Sequence, residues 1–596
     1  MISNNILQII IYFSVLLLLV KPTGYYIAYI CSGLYENKPN IIIKILLYIE
    51  QKIYLCCGIL PKQGMDWKTY AKAVLIFNFL GFATIYFIQR LQIFLPLNYQ
   101  HFGSINPDVA FNTAASFITN TDWQAYVGEA SLSCFSQMLD LTVQNFISAA
   151  TGVAILIALI RAINTADLHE IGNFWEDIIR IILYIFLPFS IILSLLLVSQ
   201  GVPQNFKAYH PVELIQQSDP HKTDITTIKN NTINNNKTII PMGPIASQIA
   251  IKQLGTNGGG YFNANSAHPF ENPTPLTNFV EMLAIMLIPA ALCYTLGSMI
   301  ANTKQGWALL IAMLLILLPC SIASTLIEQH SNAKLRSIRL NNPHDSASIY
   351  GSNMEGKEVR FGAMNSGFWS AITTATSNGS VNAMHDSFLP IGGLIPLWLI
   401  NLGEIIFGGV GSGLYQMLIF VMITVFICGL MVGRTPEYLG KKIEVFEMKM
   451  ASFAILIAPT VVLICTAIAL TTKIGASGIN NNGMHGLTEI LYAFSSMANN
   501  NGSAFAGIKT NIFYNILGGI TMLIGRYWIM IPTLAIAGSM GRKKIIPNSS
   551  ATLPTTSWLF ILILVGFIII IGSLIFLPVF SLGPLIEHLV IWSIDE

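Results

Sequence analysis

Apolar residues fall into ten long stretches, at about residues 6–28, 70–92, 129–160, 177–199, 277–300, 306–327, 388–433, 450–472, 512–539 and 556–582. A helix needs roughly 20 consecutive apolar residues to cross the hydrocarbon core of a bilayer, and these stretches are of that length or longer. Between them lie four shorter segments of small and apolar residues: Phe111 to Ile118, Ile245 to Leu254, Ala363 to Thr376 and Thr488 to Ala498. They are too short to span and suit re-entrant helices that reach half-way across. Each runs into a polar loop.

The loops contain Thr119-Asn120-Thr121-Asp122, Thr256-Asn257-Gly258-Gly259-Gly260, Thr376-Ser377-Asn378-Gly379 and Asn499-Asn500-Asn501-Gly502. Aligning Asn120, Asn257, Asn378 and Asn501 gives separations of 137, 121 and 123 residues. On that alignment Thr121 stands where the other loops have Gly258, Gly379 and Gly502. A single Asn-Gly pair marks an ordinary turn; four such loops between membrane-length stretches indicate an internal repeat. Polar, glycine-rich backbone at membrane depth is tolerated only where it is buried or lines a cavity. Its carbonyls can replace the hydration shell of an alkali cation. The candidate cation ligands are Thr119, Asn120, Thr121, Thr256, Asn257, Gly258, Ser377, Asn378, Gly379, Asn500, Asn501 and Gly502, chiefly through backbone oxygens. The hydroxyls of Thr119, Thr256 and Ser377 are expected to assist, and Gly258, Gly379 and Gly502 to supply unusual backbone angles.

The expected fold is an all-α polytopic membrane protein, with four membrane-pore-membrane repeats in a pseudo-fourfold arrangement, about ten transmembrane helices and re-entrant pore loops. The expected boundaries are 1–66 for an N-terminal helix and cytoplasmic segment, 67–165, 166–302, 303–447 and 448–545 for the repeats, and 546–596 for a C-terminal helix. Basic clusters place 29–66 (Lys38, Lys44, Lys52, Lys62), 434–449 (Arg434, Lys441, Lys442, Lys449) and 540–555 (Arg542, Lys543, Lys544) on the cytoplasmic side, and hence the N-terminus outside. Loops 201–243 and 328–360 are then external, and the asparagine run 230–236 predicts local mobility. Lys334, Arg336, Arg339, Lys357 and Arg360 run against the charge rule, which long loops obey weakly. The 46 residues of 388–433 must make one crossing, so the spare length predicts a break at Gly408-Gly409-Val410-Gly411-Ser412-Gly413. Those glycines serve either a gate beneath the loops or close helix packing.

Only 10% of the residues are charged, against about 25% in soluble proteins, which leaves a membrane protein as the class. The net charge of +2 says nothing about nucleic acid, but no basic tract exists, so no nucleic-acid partner is expected. The cysteines are scattered and read as thiols. Lys21-Pro22 follows the apolar run Ile6 to Val20 in place of a small-residue cleavage site, so that run reads as part of a retained helix. No phosphate-binding loop and no Asp-Lys-Thr-Gly segment is present, so ATP hydrolysis is not expected in this chain. Energy for pumping would come from a partner, and no organic cofactor is expected. Ionisable residues inside spans are functional candidates by default. Glu404 and Arg526 read equally as charges on an ion path or as packing partners; Asp140, Glu281 and Gln144 flank the loops; Asp386 lies near the outer mouth. His268 reads as a loop brace.

Longer motifs carry a resemblance: Thr119 to Gln124, Gly255 to Pro273, Gly379 to Ser387, Phe407 to Tyr415, Gly433 to Lys442 and Asn499 to Gly507. Over essentially its whole length the chain resembles the A subunits of the Kdp potassium-transporting ATPases, one-chain relatives of the Trk/Ktr/HKT potassium transporters. The resemblance implies potassium as the transported ion and a bacterial inner-membrane complex. It implies a P-type ATPase subunit (B) that hydrolyses ATP, two small membrane subunits (C and F), and an internal tunnel towards the ATPase subunit. This chain would then be a non-catalytic subunit. Departures are Asp122 where the family usually has Asn, Ser380 for Ala, and Gln416 for Gly. The alternatives are an autonomous potassium channel or cation symporter of the Trk/HKT kind, and a membrane-embedded enzyme or scaffold. Co-purification of a P-type ATPase discriminates among them.

Overall fold

The computed structural model describes residues 2–36, 39, 41–61, 63–213, 237–330, 352–505, 507–547 and 553–592. The asparagine run 230–236 and Lys38, Lys62, Lys334, Arg336 and Arg339 lie outside the described residues.

Among the described residues, ten helices are long and apolar enough to cross a membrane: Ile6–Cys31, Trp67–Phe94, Ser136–Asn164, Phe174–Ser199, Pro275–Met299, Thr303–Glu328, Ser412–Val432, Val445–Thr471, Ile512–Gly541 and Trp558–Ile591. Four short helices stand between them, Pro107–Ile118, Ile245–Leu254, Gly362–Ala375 and Met484–Ala498. At 1.5 Å per residue they are roughly 15–22 Å long, half a bilayer. In chain order the second to ninth spans therefore read as span, short helix, span four times, with the first and last spans outside the pattern. Ser136–Asn164 and Pro275–Met299 are buried on most sides. The outer spans turn Phe79, Leu80, Ile192, Leu195 and Leu559 outward, the side that lipid would wet.

Local sequence sets several helix starts. Asp66 accepts the Thr69 N–H at 3.1 Å, Asn511 that of Tyr514 at 3.1 Å and Ser557 that of Phe560 at 3.2 Å. Thr274 and Thr277 form a reciprocal capping box around Pro275, whose missing N–H costs nothing in the first turn.

The stretch 388–433 is a short helix, Pro390–Asn401, and a full-length span, Ser412–Val432, joined through a non-helical connection. The break opens earlier than the glycine cluster suggests. Gly403, Glu404, Phe407, Gly408 and Gly411 all have positive φ, two of them residues for which that conformation is strained. Tertiary hydrogen bonds hold it: Gly408 N–H donates to Ala375 O at 2.9 Å and Val410 N–H to Thr256 Oγ1 at 2.8 Å. A single crossing by this stretch makes a direct prediction. In a cysteine-free background, single cysteines at Val359 and Lys442, both exposed, should be labelled by an impermeant reagent from opposite faces. Labelling from the same face would overturn the single crossing.

Two of the basic residues that run against the charge rule are not free charges. Lys357 is buried against Glu328, Nζ to Oε2 2.8 Å. Arg360 pairs with Glu358 at 2.9 Å and donates to the Ala267 carbonyl. A neutralised charge gives the rule nothing to act on.

Candidate cation filter

Each short helix ends in the same way. Its cap residue (Thr119, Gly255, Thr376 or Asn499) is followed by one residue in the left-handed region: Asn120 (φ 62°), Thr256 (46°), Ser377 (49°) and Asn500 (48°). The next N–H turns back to the carbonyl five residues earlier. Thr121 reaches Ser116 O at 3.0 Å, Asn257 Lys252 O at 2.9 Å, Asn378 Thr373 O at 3.0 Å and Asn501 Ser496 O at 2.8 Å. The four loops thus share one backbone motif.

That motif corrects the sequence alignment. Asn120 matches Thr256, Ser377 and Asn500; Thr121 matches Asn257, Asn378 and Asn501; Asp122, not Thr121, stands in the place of Gly258, Gly379 and Gly502. Alignment on asparagine put the first loop one residue out. Asparagine tolerates the left-handed region and so fits Asn120 and Asn500, whereas Asn257, Asn378 and Asn501 stand one place later and do not enter it.

The loops close into a ring. Gly379 N–H donates to Asn257 O at 3.4 Å, and a Cβ on Gly258 would overlap Gly379. Ser377 Oγ donates to Asn499 O at 3.2 Å, and a Cβ on Gly379 would stand 2.6 Å from the Gly502 carbonyl carbon. Asn500 Nδ2 donates to Thr121 Oγ1 at 2.8 Å, and a Cβ on Gly502 would overlap the Thr121 carbonyl. Asn120 Nδ2 donates to Thr256 O at 3.0 Å, and Asn257 Nδ2 to Asn120 Oδ1 at 2.7 Å, which returns to the second loop. All twelve candidate ligands are brought together here. Gly258 and Gly502 have φ of 99° and 86°; Gly379 does not enter the left-handed region, and its need for glycine is the close approach of the fourth loop.

Side chains and backbone divide the work. The three hydroxyls expected to assist give their protons to neighbouring carbonyls: Thr119 to Ala115 O at 2.8 Å, Thr256 to Gly255 O at 2.8 Å, Ser377 to Asn499 O. The asparagine amides tie loops to one another; Asn378 Nδ2 reaches Gln253 Oε1 at 3.1 Å. Among the described residues, the carbonyls of Asp122, Gly258, Gly379 and Gly502, which share one place in the motif, accept no hydrogen bond. Four backbone oxygens, one from each loop and none with a proton donor, form an electron-rich collar.

A supporting shell holds the collar. Ser148 Oγ donates to Asn120 Oδ1 at 2.9 Å, and Trp369 Nε1 to Ser380 O at 2.8 Å. Buried Lys252 donates to Gly259 O at 3.1 Å and Asn265 Oδ1 at 2.9 Å, and is paired with buried Glu271. Sequence reasoning missed Lys252. A lysine in the middle of the ten-residue segment Ile245–Leu254 was the available signal, because an intramembrane cation marks function or a partner. Glu281 takes a 2.8 Å bond from Gln253 Nε2 and is part of this shell. His268 lies flat against Phe262, ring centroids 3.7 Å apart, and accepts from Phe270 N–H at 3.1 Å. Burial pushes His385 down to about 3, so it stays neutral; its Nδ1 meets the Tyr492 hydroxyl at 2.7 Å.

On the side where the loops leave the ring is a cavity of about 760 Å³, lined by Trp123, Gln124, Tyr126, Lys357, Glu358 and Phe505 among others. The break lies against the loops from the helix side. Arg526 is buried there, close to Gly152 and within electrostatic reach of Asp122 and Glu404. Gln416 meets Glu404 at 3.5 Å and lines a cavity of about 30 Å³ with Asn401 and Gly403.

Asp122 is fully buried, with φ 54°, and is not an exposed charge. Asn145, its amide turned to donate, reaches Asp122 Oδ1 at 3.1 Å. Asp122→Asn is therefore expected to raise the potassium concentration for half-maximal activity about threefold, by the same factor at low and high ionic strength, since screening acts on exposed charges. An effect that fades with added salt would mean that Asp122 is exposed.

Four re-entrant loops with free carbonyls, carried on four pairs of spans, define a membrane protein of the pore-loop ion-transport class. The chain belongs to the family described as Potassium-transporting ATPase A subunit, whose sequence profile matches residues 10–589. It is 53% identical over 592 residues to the "Potassium-transporting ATPase potassium-binding subunit" of Herpetosiphon aurantiacus, covering 99% of this chain and 100% of that one. The subunits of the same name from Sorangium cellulosum and Methylococcus capsulatus are 52% and 51% identical, each covering 99% of both chains.

Proposed function

We propose that this chain is the potassium-binding and selectivity subunit of an ATP-driven potassium uptake complex. The observation that carries the reading is the collar of unpartnered carbonyls at Asp122, Gly258, Gly379 and Gly502, the chemistry that replaces the water around a large monovalent cation. The relatives' shared name supplies the ion and the partner class. The ligands are Thr119, Asn120, Thr121, Thr256, Asn257, Gly258, Ser377, Asn378, Gly379, Asn500, Asn501 and Gly502, to which the backbone alignment adds Asp122. Potassium enters from the 760 Å³ vestibule, loses its water in the collar and passes on at the break, where Arg526 repels a second cation and limits leak. From there it moves towards a P-type ATPase subunit, with two small subunits assisting. The complex lies in the bacterial inner membrane, the vestibule and the N-terminus facing outward. The repeat boundaries proposed are 67–165, 166–302, 303–447 and 448–545, flanked by 1–66 and 546–596.

The test is co-purification. The chain should bring down a membrane protein that ATP phosphorylates, and potassium should stimulate hydrolysis. Potassium flux through liposomes that contain this chain alone, without ATP, would favour an autonomous channel instead.

A further inference from the structure

Outside the filter, one cluster has the chemistry of a metal site. Asp386 lies in the turn after the third loop, and His485 in the first turn of the helix Met484–Ala498. Glu489 is four residues on, on the same face of that helix. Glu587 comes from the last helical segment, Ile586–Trp592. His485 Nδ1 stands 2.9 Å from Glu587 Oε1, and Nε2 2.8 Å from Asp386 Oδ1. A neutral imidazole has a single N–H, and carboxylates only accept. Both contacts cannot be hydrogen bonds unless positive charge resides on the ring or next to it.

In the tautomer that donates Nδ1–H to Glu587, the Nε2 lone pair faces Asp386. This is how metal-binding histidines are oriented, the second nitrogen donating to a carboxylate. One ligand atom each from Asp386, His485 and Glu489 lies within 4.8 Å of the others, the one such group among the described residues. Glu489 is buried and fixed: Asn480 N–H donates to it at 3.0 Å and Asn481 Nδ2 at 2.7 Å. Asp386 and His485 are partly exposed, so an ion can reach them.

We propose that Asp386, His485 and Glu489 bind a divalent transition-metal ion of the zinc class, with Glu587 as the positioning residue for the imidazole. One nitrogen and two carboxylate ligands with a position left for water suit zinc; calcium and magnesium prefer oxygen alone. The ion joins two segments beside the vestibule, and Glu587 ties in a third through the imidazole. Asp386 N–H donates to Phe505 O at 3.1 Å, and Phe505 lines that cavity. Metal occupancy thus fixes the wall of the mouth without touching the collar.

The experiment titrates ZnCl2 into the full chain, purified in its complex without a histidine tag, against a chromophoric chelator. Cys56→Ser/Cys57→Ser removes the two exposed thiols that would compete for zinc. One zinc per chain is expected. His485→Gln and Asp386→Asn should each weaken binding at least tenfold, and Glu587→Gln about tenfold. Glu489 is left intact because it also holds the Asn480–Asn481 turn. Zinc bound no better than by the double variant His485→Gln/Asp386→Asn, or bound as tightly as in the parent by either single variant, would overturn the site.

Discussion

Gly258→Asp is expected to raise the potassium concentration for half-maximal ATPase activity of the assembled complex at least tenfold, and to let rubidium or ammonium substitute. Gly258 has φ 99°, and any Cβ there overlaps the Gly379 backbone. A side chain must therefore push the second and third loops apart. A left-handed non-glycine residue costs roughly 1–3 kcal/mol even with space around it, and each 1.4 kcal/mol lost from the binding conformation is tenfold in affinity. Displaced loops widen the collar, so discrimination by ion size falls with affinity. The measurement is the cation dependence of ATP hydrolysis; unchanged affinity and unchanged selectivity would remove the second loop from the site.

Lys252→Met is expected to be the most damaging single change in stability. Lys252 and Glu271 are both fully buried and paired. Removing one member of a buried ion pair costs about 3–5 kcal/mol, because the remaining charge has no compensation. The variant should fail to accumulate, or should denature well below the parent temperature. Lys252→Met/Glu271→Gln should recover much of the loss: the glutamine keeps an acceptor for the Phe262 N–H, which Glu271 binds at 2.9 Å, and no charge is left stranded. A double variant no better than the single would mean that Lys252 acts through Gly259 and Asn265 and not through the pair.

Much of the architecture was legible in the amino-acid pattern, because membrane length and re-entrant length are set by bilayer thickness and leave a direct mark in apolar run lengths. The four short helices lie within four residues of their expected bounds. The break in 388–433 was legible from spare length, but not its start, since Glu404 and Phe407 take left-handed conformations that only tertiary contacts to Ala375 and Thr256 sustain. The register of the first loop was not legible. Its backbone repeats the other three while its side chains do not, and sequence comparison sees side chains alone. Burial of Asp122 was hidden for the related reason that its surroundings, Asn145 and Arg526, come from other spans. The brace formed by Lys252 and Glu271 joins residues 19 apart through a loop whose shape no local signal fixes.

The central claim is that one ring built from four loops holds the ion through backbone carbonyls. The most direct measurement is anomalous diffraction from crystals of the complex in which thallium(I) or rubidium replaces potassium. The account predicts one strong site within coordination distance of the carbonyls of Asp122, Gly258, Gly379 and Gly502. A crystal that places the heavy cation elsewhere and leaves that ring empty would contradict it.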